Sequence, residues 1–434
     1  MRPGALKLHR REGAPEFGRR SLIKILHTAD IHLDSPLKSL ALRNETLRDH
    51  IQSATRQAFA RIIDTALAEG VAALLIAGDL FDGAQRCAKT AAFLSGQIER
   101  LRAAGIAVFY IKGNHDAENP ITGEVALPDN VHVFDGRGGK VRLGDTDIWI
   151  HGVSFTGRHA PDSLLPKFGA PVPGAVNIAM LHSSLAGAVG HDTYAPCSVD
   201  DLAALGFDYW ALGHIHKRQV YRDAPWIVMP GIPQGRDIGE AGAKSATLLT
   251  IEAGQITVEE VPTSVVTFLL HDIDVTGAES DDEIRQRVRS ALHALSASLA
   301  PGETVILRLT LAGRTARHWQ VLRDAAIWAE TAVQIAEETG RLWVEKLCLA
   351  LEAPRATAAD TAATDEIARL MAQISTEAGF AAQALAEVEE VLAQLPPARR
   401  AALLPDEAAM SALVRDLAAS GGTHLVALMK GASE

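Results

Sequence analysis

Residues 27–36 read HTADIHLDSP and follow directly on the apolar run SLIKIL at 21–26. His27, Asp30, His32 and Asp34 therefore fall within eight positions at the end of what reads as a buried strand. A desolvated charge costs several kcal/mol or must find a partner, so a strand end has no structural use for this many ionisable groups. A metal ion is a partner that would satisfy them together.

The same arrangement recurs along the first half of the chain. VAALLIAGD (71–79) ends in Asp79, and IAVFYIKGNHD (106–116) ends in Asn114, His115 and Asp116. VNIAMLHS (176–183) carries His182, and FDYWALGHIH (207–216) carries His214 and His216. In open α/β sheets, ligands gather outside the carboxyl ends of the strands, where loops turn side chains toward one point. Five strand ends are thus expected to point into one crevice. A lone Gly-Asp or a lone His is commonplace in loops; the ordered set at successive strand ends carries the inference. Carboxylates, imidazoles and one amide oxygen suit manganese, iron or zinc, and the thiolates of a structural zinc site are missing. The groups outnumber the ligands of one ion, so two ions are implied, with a carboxylate shared between them. Asp79 is the natural bridge.

Short apolar runs alternate with amphipathic helices from residue 22, with helices expected over about 45–69 and 88–104, which indicates an α/β sheet. Further strands are expected at VHVF, KVRL, DIWIHGVSF, VNIAMLHS, FDYWALGHIH and PWIVMPG, then a hairpin SATLLTIEAGQITVEEVP turning at Ala253-Gly254. After residue 264 a strand–helix–strand–helix–strand pattern over 265–353 reads as a small α/β module, with one helix over ARHWQVLRDAAIWAET. Residues 354–434 are alanine-rich and helical, broken by LPPARR, LPDEAA and SGG, with a continuous helical spacing from Ala359 to Val391. Residues 1–21, basic and aperiodic, are expected as a disordered extension.

At 434 residues and 47% hydrophobic, the chain reads as a multidomain globular protein, expected in the cytoplasm. Cys87, Cys197 and Cys348 are widely spaced and form no CxxC, against both a disulfide framework and a zinc ribbon. The net charge of -11 is unevenly placed: residues 266–434 hold 15 Lys and Arg against 24 Asp and Glu, leaving 27 against 29 for residues 1–265. Lys38, Arg86, Lys89, Lys112, Arg158, Lys217, Arg218 and Arg236 cluster near the motifs, a placement compatible with phosphate contacts.

The order Asp30-Ile-His32, Gly78-Asp79, Gly113-Asn114-His115-Asp116, His182 and Gly213-His214-Ile-His216 resembles the calcineurin-like metallophosphoesterases. Within them, HTADIHLDSP, AGDLFD, KGNHD, LGHIH and PGIPQGRDIGE are similar to the DNA-repair exonucleases of the SbcD and YhaO kind, bacterial relatives of the meiotic-recombination-eleven nuclease. The resemblance implies a four-layer α-β-β-α sandwich over 22–264, a small capping α/β domain over 265–353 and a helical region over 354–434. It implies a first ion on Asp30, His32, Asp79 and His216, and a second on Asp79, Asn114, His182 and His214, with Mn2+ expected first and Fe2+ or Zn2+ as alternatives. It gives His115 the part of assisting the departing oxygen in phosphodiester hydrolysis, and Asp82 that of orienting His115; an N-cap is the other reading of Asp82. DNA and an SbcC-like coiled-coil ATPase are the implied partners, a homodimer is left open, and no membrane is implied. His27 and Asp34 are read as supports of the first motif, with surface placement open for Asp34, and His151 as a structural histidine. Asp237 stands where relatives carry His after Arg236, so it is left out of the catalytic set. A phosphodiesterase or phosphatase for small phosphoesters, or a non-catalytic scaffold, are the competing functions. Competent residue types at all seven ligand positions argue against the scaffold.

Overall fold

Strands β1 (Ile23–Thr28), β2 (Ala73–Ala77) and β3 (Ala107–Ile111) are apolar almost throughout because both of their faces are covered. Leu26, Leu74, Ile76, Val108 and Tyr110 face helices α1 (Glu45–Ala68) and α2 (Ala88–Ala103), where Phe59, Ile62, Leu94 and Ile98 complete a buried layer. The alternate residues Ile25, Ala73, Leu75, Ala77, Phe109 and Ile111 face the other way, against a second sheet. The computed structural model describes residues 22–35, 45–82, 88–117, 127–185, 194–300, 302–353, 363–404 and 406–431. The expected N-terminal extension, Lys38, Arg86 and Cys87 lie outside these residues.

The remaining strands of this unit are β4 (Val131–Val133), β5 (Gly139–Arg142), β6 (Ile148–Gly152), β7 (Val176–His182), β8 (Tyr209–Gly213), β9 (Gln219–Asp223), β10 (Trp226–Met229), β11 (Ser245–Glu252) and β12 (Gln255–Pro262). They form two six-stranded sheets, ordered β12-β11-β1-β2-β3-β4 and β5-β6-β7-β8-β10-β9. Ile178, Met180, Tyr209, Ala211 and Val228 meet the first sheet across the middle of the sandwich. The outer face of the second sheet packs Leu181, Trp210 and Leu212 against Phe155, Phe207 and Leu202, the last from the short helix α3 (Val199–Ala204). The layers are α-β-β-α, the outer helical layer on the second sheet being thin. β1, β2 and β3 run parallel, as do β6, β7 and β8, so the carboxyl ends that carry the polar motifs are shared within each sheet. The β11–β12 hairpin turns at Ala253-Gly254, both at positive φ (52° and 81°), as a two-residue type I′ turn requires.

Two compact units divide the chain, Met1–Thr267 and Phe268–Glu434. The second unit has a three-stranded sheet, β13 (Val266–Asp274), β14 (Thr304–Arg314) and β15 (Leu342–Glu352), in the order β13-β14-β15. Helices α4 (Asp281–Ser298), α5 (His318–Arg323) and α6 (Ala325–Glu337) share its core of Ile284, Val288, Leu307, Leu309, Trp328 and Ile335. The stretch ARHWQVLRDAAIWAET thus yields two helices where one was expected, joined at Asp324, whose carboxylate pairs with Arg323.

The helical region forms α7 (Ala363–Ile374), α8 (Ala378–Ala393), α9 (Pro397–Leu403) and α10 (Glu407–Gly431). It belongs to the same unit as the three-stranded sheet: Arg323 donates to the Gly431 carbonyl and Lys430 lies 4.8 Å from the Trp319 ring centre. The expected helix to Val391 is interrupted at Ser375 and Thr376, whose hydroxyls take the Ala372 and Gln373 carbonyls. Conversely, SGG at 420–422 does not break the chain but lies inside α10. A helical glycine costs about 1 kcal/mol relative to alanine, a cost that burial of Val414, Val426 and Ala427 on the same helix outweighs. The sequence reading also missed β9 and α3. No helix among the described residues is long and apolar enough to cross a membrane.

Candidate metal centre

At the carboxyl end of β1 the backbone takes an unusual path: Asp30, His32 and Asp34 all have positive φ (52°, 44° and 63°). Asp79 (51°) and His214 (103°) share this property. Side-chain-bearing residues enter the left-handed region only when their surroundings impose it, and such strain collects at functional sites. Here a ladder between two loops imposes it, with Asp30 N–H donating to Gly78 O, His32 N–H to Asp79 O and Leu33 N–H to Leu80 O, each at 3.0 Å. The glycines of the motifs make room. A Cβ on Gly78 would lie 2.3 Å from His182 Nδ1, one on Gly113 2.2 Å from Asp79 Oδ1, and one on Gly213 2.0 Å from the Ala77 carbonyl oxygen.

The structure brings together all seven expected ligands. Ligand atoms of Asp30, His32 and His216 lie within 4.8 Å of one another, as do those of Asp79, His182 and His214. His182 Nε2 is 3.4 Å from Asp79 Oδ2 and 3.1 Å from Asn114 Oδ1, while His32 Nε2 is 3.9 Å from the same Asp79 oxygen. His32 and His216 face each other through Nε2 atoms 3.2 Å apart. His115, with Asp79 and His32, forms a third such group. Its ring is about a third exposed, and Asp82 Oδ1 lies 3.6 Å from its Nδ1 and 3.7 Å from His32 Nδ1. Asp82 is therefore between two imidazoles.

This donor set calls for cations. His182 Nδ1 donates to the Ala77 carbonyl at 3.0 Å and His216 Nδ1 to Glu240 at 2.7 Å, which leaves both Nε2 lone pairs aimed at other lone pairs. Only a proton or a metal can stand between them. With no ion, protons take the place: burial opposes the charge on His182, but Asp79 and Asp30 outweigh it and raise its pKa to about 9. Burial would likewise raise Asp79, yet His182 and His32 hold it well below the usual carboxylate range. Asp30 is pushed up to about 6 by burial, with Asp79 adding to the effect. Burial drives His32 well below its ordinary value, so it offers a neutral imidazole.

The supporting residues separate clearly. His27 is fully buried between the sheets, where Tyr209 donates its hydroxyl to Nδ1 (2.9 Å) and Nε2–H donates to Leu212 O (3.0 Å). Asp34 accepts two bonds of 2.6 Å from Arg56, tying its loop to α1 rather than lying free on the surface. Asp116 accepts from the backbone N–H groups of Gly113, Leu80 and Phe81 and so joins the two central loops. His151 bonds Asn177 at 3.1 Å, away from the ligand set. Glu240 was missed by the sequence reading: it reaches His216 from 24 positions away, inside a motif whose glycines and two prolines signal turns but not their partners.

Residues 23–218 match the calcineurin-like phosphoesterase family, and residues 268–352 match the middle domain of metallophosphoesterase YhaO. A Bacillus subtilis protein named as an uncharacterized metallophosphoesterase, YhaO, is 36% identical over 302 residues, covering 68% of this chain and 73% of that protein. The chain belongs to the calcineurin-like metallophosphoesterases. It is a metal-dependent hydrolase close to YhaO and more distantly like Mre11. The DNA double-strand break repair protein Mre11 of Sulfurisphaera tokodaii is 27% identical over 254 residues, 56% of this phosphoesterase and 63% of the relative. Among solved structures, a dimetal phosphatase from Danio rerio is 10% identical, with a TM-score of 0.34, over 56% of this chain and 96% of the other.

The proton held by His182 gives a test. Its pKa in the folded metal-free phosphoesterase is about 9 against an ordinary 6.5, so the stability it contributes is full below pH 6.5 and is lost as pH rises through 9. Calorimetric melting of the metal-free protein is expected to show Tm falling across this window. Saturating Mn2+, which replaces the proton, should flatten the dependence; a Tm equally pH-dependent with and without Mn2+ would refute the exchange.

Proposed function

We propose that this phosphoesterase is a two-metal-dependent DNA exonuclease that hydrolyses phosphodiesters in DNA repair, with manganese as its metal and an SbcC-like coiled-coil ATPase as its partner. The observation that carries the two-ion reading is the position of Asp79, whose carboxylate lies within reach of His32 on one side and His182 on the other. In this reading Asp30, His32, Asp79 and His216 hold one ion, and Asp79, Asn114, His182 and His214 hold the other. Bound divalent ions supply Lewis-acid charge to the phosphoryl oxygens and lower the pKa of water.

The chain's own groups do the rest. His115 is a partly exposed imidazole of the centre that holds no ion in this reading, and Asp82 Oδ1, 3.6 Å from its Nδ1, orients the ring so that Nε2 is presented to substrate. It protonates the departing oxygen. Asp79 Oδ1 accepts the His115 backbone N–H at 2.9 Å, so the bridging carboxylate also fixes the acid's position. DNA as substrate draws its support from the relatives named for double-strand break repair, since nothing in the ligand set distinguishes DNA from other phosphodiesters. The partner draws its support from exposed apolar side chains on the C-terminal helices, Leu370, Ile374, Leu417 and Leu425 among them. Helices that leave such residues uncovered are suited to docking against another helical surface.

Metal analysis of the full chain is expected to give close to two ions, and Asp79→Ala to lose both metal and turnover on a chromogenic phosphodiester and on linear DNA. His115→Ala should keep its metal while turnover falls by about 10²-fold, the usual worth of general acid help. Loss of metal in the His115 variant would make it a ligand instead, and hydrolysis that survives exhaustive chelation would end the two-ion reading.

Co-purification tests the partner. The double variant Leu417→Asp, Leu425→Asp is expected to keep hydrolysis of the small diester and to lose association with a coiled-coil ATPase co-expressed with it. Undiminished association would move docking elsewhere.

A further inference from the structure

PGIPQGRDIGE, residues 230–240, supplies no ligand in the reading above, yet it closes one side of the centre. Gly231 (φ 75°) packs so tightly on the loop after β8 that an added Cβ would lie 2.7 Å from Arg218 N and 2.8 Å from His216 O. Ile232 N–H then donates to that same His216 carbonyl at 3.0 Å. Gln234 is fully buried, with its amide donating to Val266 O at 2.7 Å and its oxygen accepting from Val265 N–H at 2.9 Å. The first half of the segment is thus locked in place on two sides.

Beyond these anchors the chain makes a tight turn, Ile238–Glu240, capped by Asp237, which accepts from Gly239 N–H at 2.8 Å. The turn brings Glu240 back onto Arg236. Glu240 Oε2 accepts the Arg236 backbone N–H at 2.8 Å, and Oε1 accepts from Arg236 Nη2 at 2.9 Å and from His216 Nδ1 at 2.7 Å. Arg236 Nε lies 3.3 Å and 3.4 Å from the two carboxylate oxygens. Burial would raise the Glu240 carboxyl, but His216 and Arg236 together hold it well below its usual range.

The guanidinium is therefore pinned along its Nε–Nη2 edge, while Nη1 meets no hydrogen-bond partner among the described residues. The side chain is 22% exposed, and Nη2 lies 3.1 Å from His216 Nδ1. A permanently charged group fixed beside a cation site repels the ions it neighbours. One carboxylate answers that repulsion in part, and an incoming anion would answer the remainder. Guanidinium presents a planar fork matched to phosphate oxygens, and holding it in place before substrate arrives avoids reorganisation later.

We propose that Arg236 is a substrate-binding residue whose Nη1 edge takes a non-bridging oxygen of the scissile phosphodiester, while Glu240 positions both this guanidinium and His216. The proposal rests on the phosphodiesterase reading above, and its test separates the two. Mn2+ binding to the metal-free protein is measured by titration calorimetry. Inorganic phosphate binding to the Mn2+-loaded protein follows, and then KM and kcat for bis(p-nitrophenyl) phosphate.

Arg236→Ala is expected to leave Mn2+ affinity within about two-fold of the wild type while weakening phosphate binding and raising KM by about ten-fold or more. Arg236→Lys, a point charge without the fork, should recover only part of that loss. Glu240→Ala should weaken Mn2+ binding by about 10- to 100-fold, as expected when a histidine ligand loses its carboxylate partner. Arg236→Gln keeps most of the side-chain volume and stands in if the alanine variant does not fold. Phosphate affinity and KM within two-fold of wild type in the Arg236 variants would overturn the proposal. So would a loss of Mn2+ affinity in Arg236→Ala as large as that in Glu240→Ala, because Arg236 would then only brace the carboxylate. A wild-type chain that binds no Mn2+ would overturn the two-ion reading itself, before any variant is compared.

Discussion

Hydrogen bonds cross from one sheet to the other near the carboxyl ends of the strands, and the centre depends on them. His27 on β1 donates to Leu212 O on β8, His182 on β7 donates to Ala77 O on β2, and the His214 backbone N–H donates to both oxygens of Asp30. Each buried polar group left without its partner would cost on the order of 1–3 kcal/mol, so the two sheets are held in one relative placement. That placement is what lets Asp30, His32, Asp79 and Asn114 from one sheet meet His182, His214 and His216 from the other. Each proposed ion draws ligands from both sheets and would act as a further cross-link of the same seam.

Much of the seam was legible in the chain. Each ligand closes its strand or follows it by only a few residues, so a short apolar run ending in His, Asp or Asn already fixes where that side chain emerges. The alternation inside the strands was legible too: Ile25 and His27 point to the seam, Leu26 to the helices. Contacts that depend on a return of the chain were not. Nothing near Glu240 in sequence shows that a capped turn brings it to His216, and nothing near Asp34 announces Arg56 on the following helix. The left-handed backbone of Asp30, His32 and Asp79 was equally hidden, because it is imposed by a ladder between loops some fifty residues apart and not by the residues themselves.

In the second unit the local signals misled in both directions. Gly421 and Gly422 read as a break, yet the helix runs through them because its length and packing outweigh two weak residues. Ser375 and Thr376 gave no comparable warning, yet their hydroxyls compete for backbone carbonyls and end a helix that apolar spacing would have continued. Capping was more dependable. Ser198 with Asp201 closes a reciprocal capping box at α3, a pattern present in the sequence SVDD but passed over in favour of the apolar runs around it.

The inward direction of His27 has a consequence for how such a chain can change over time. Side chains alternate along a strand with a period of two, so inserting or deleting one residue within β1 would carry His27 to the helix face and bring Leu26 or Thr28 into the seam. No single compensating substitution repairs that, since every other residue of the strand is inverted with it. Strand lengths at the carboxyl side of the sandwich are therefore closed to gradual length variation, while point substitutions there remain open. Lineages descending from this architecture can lengthen or shorten it only at connections that enter the strands from their opposite ends.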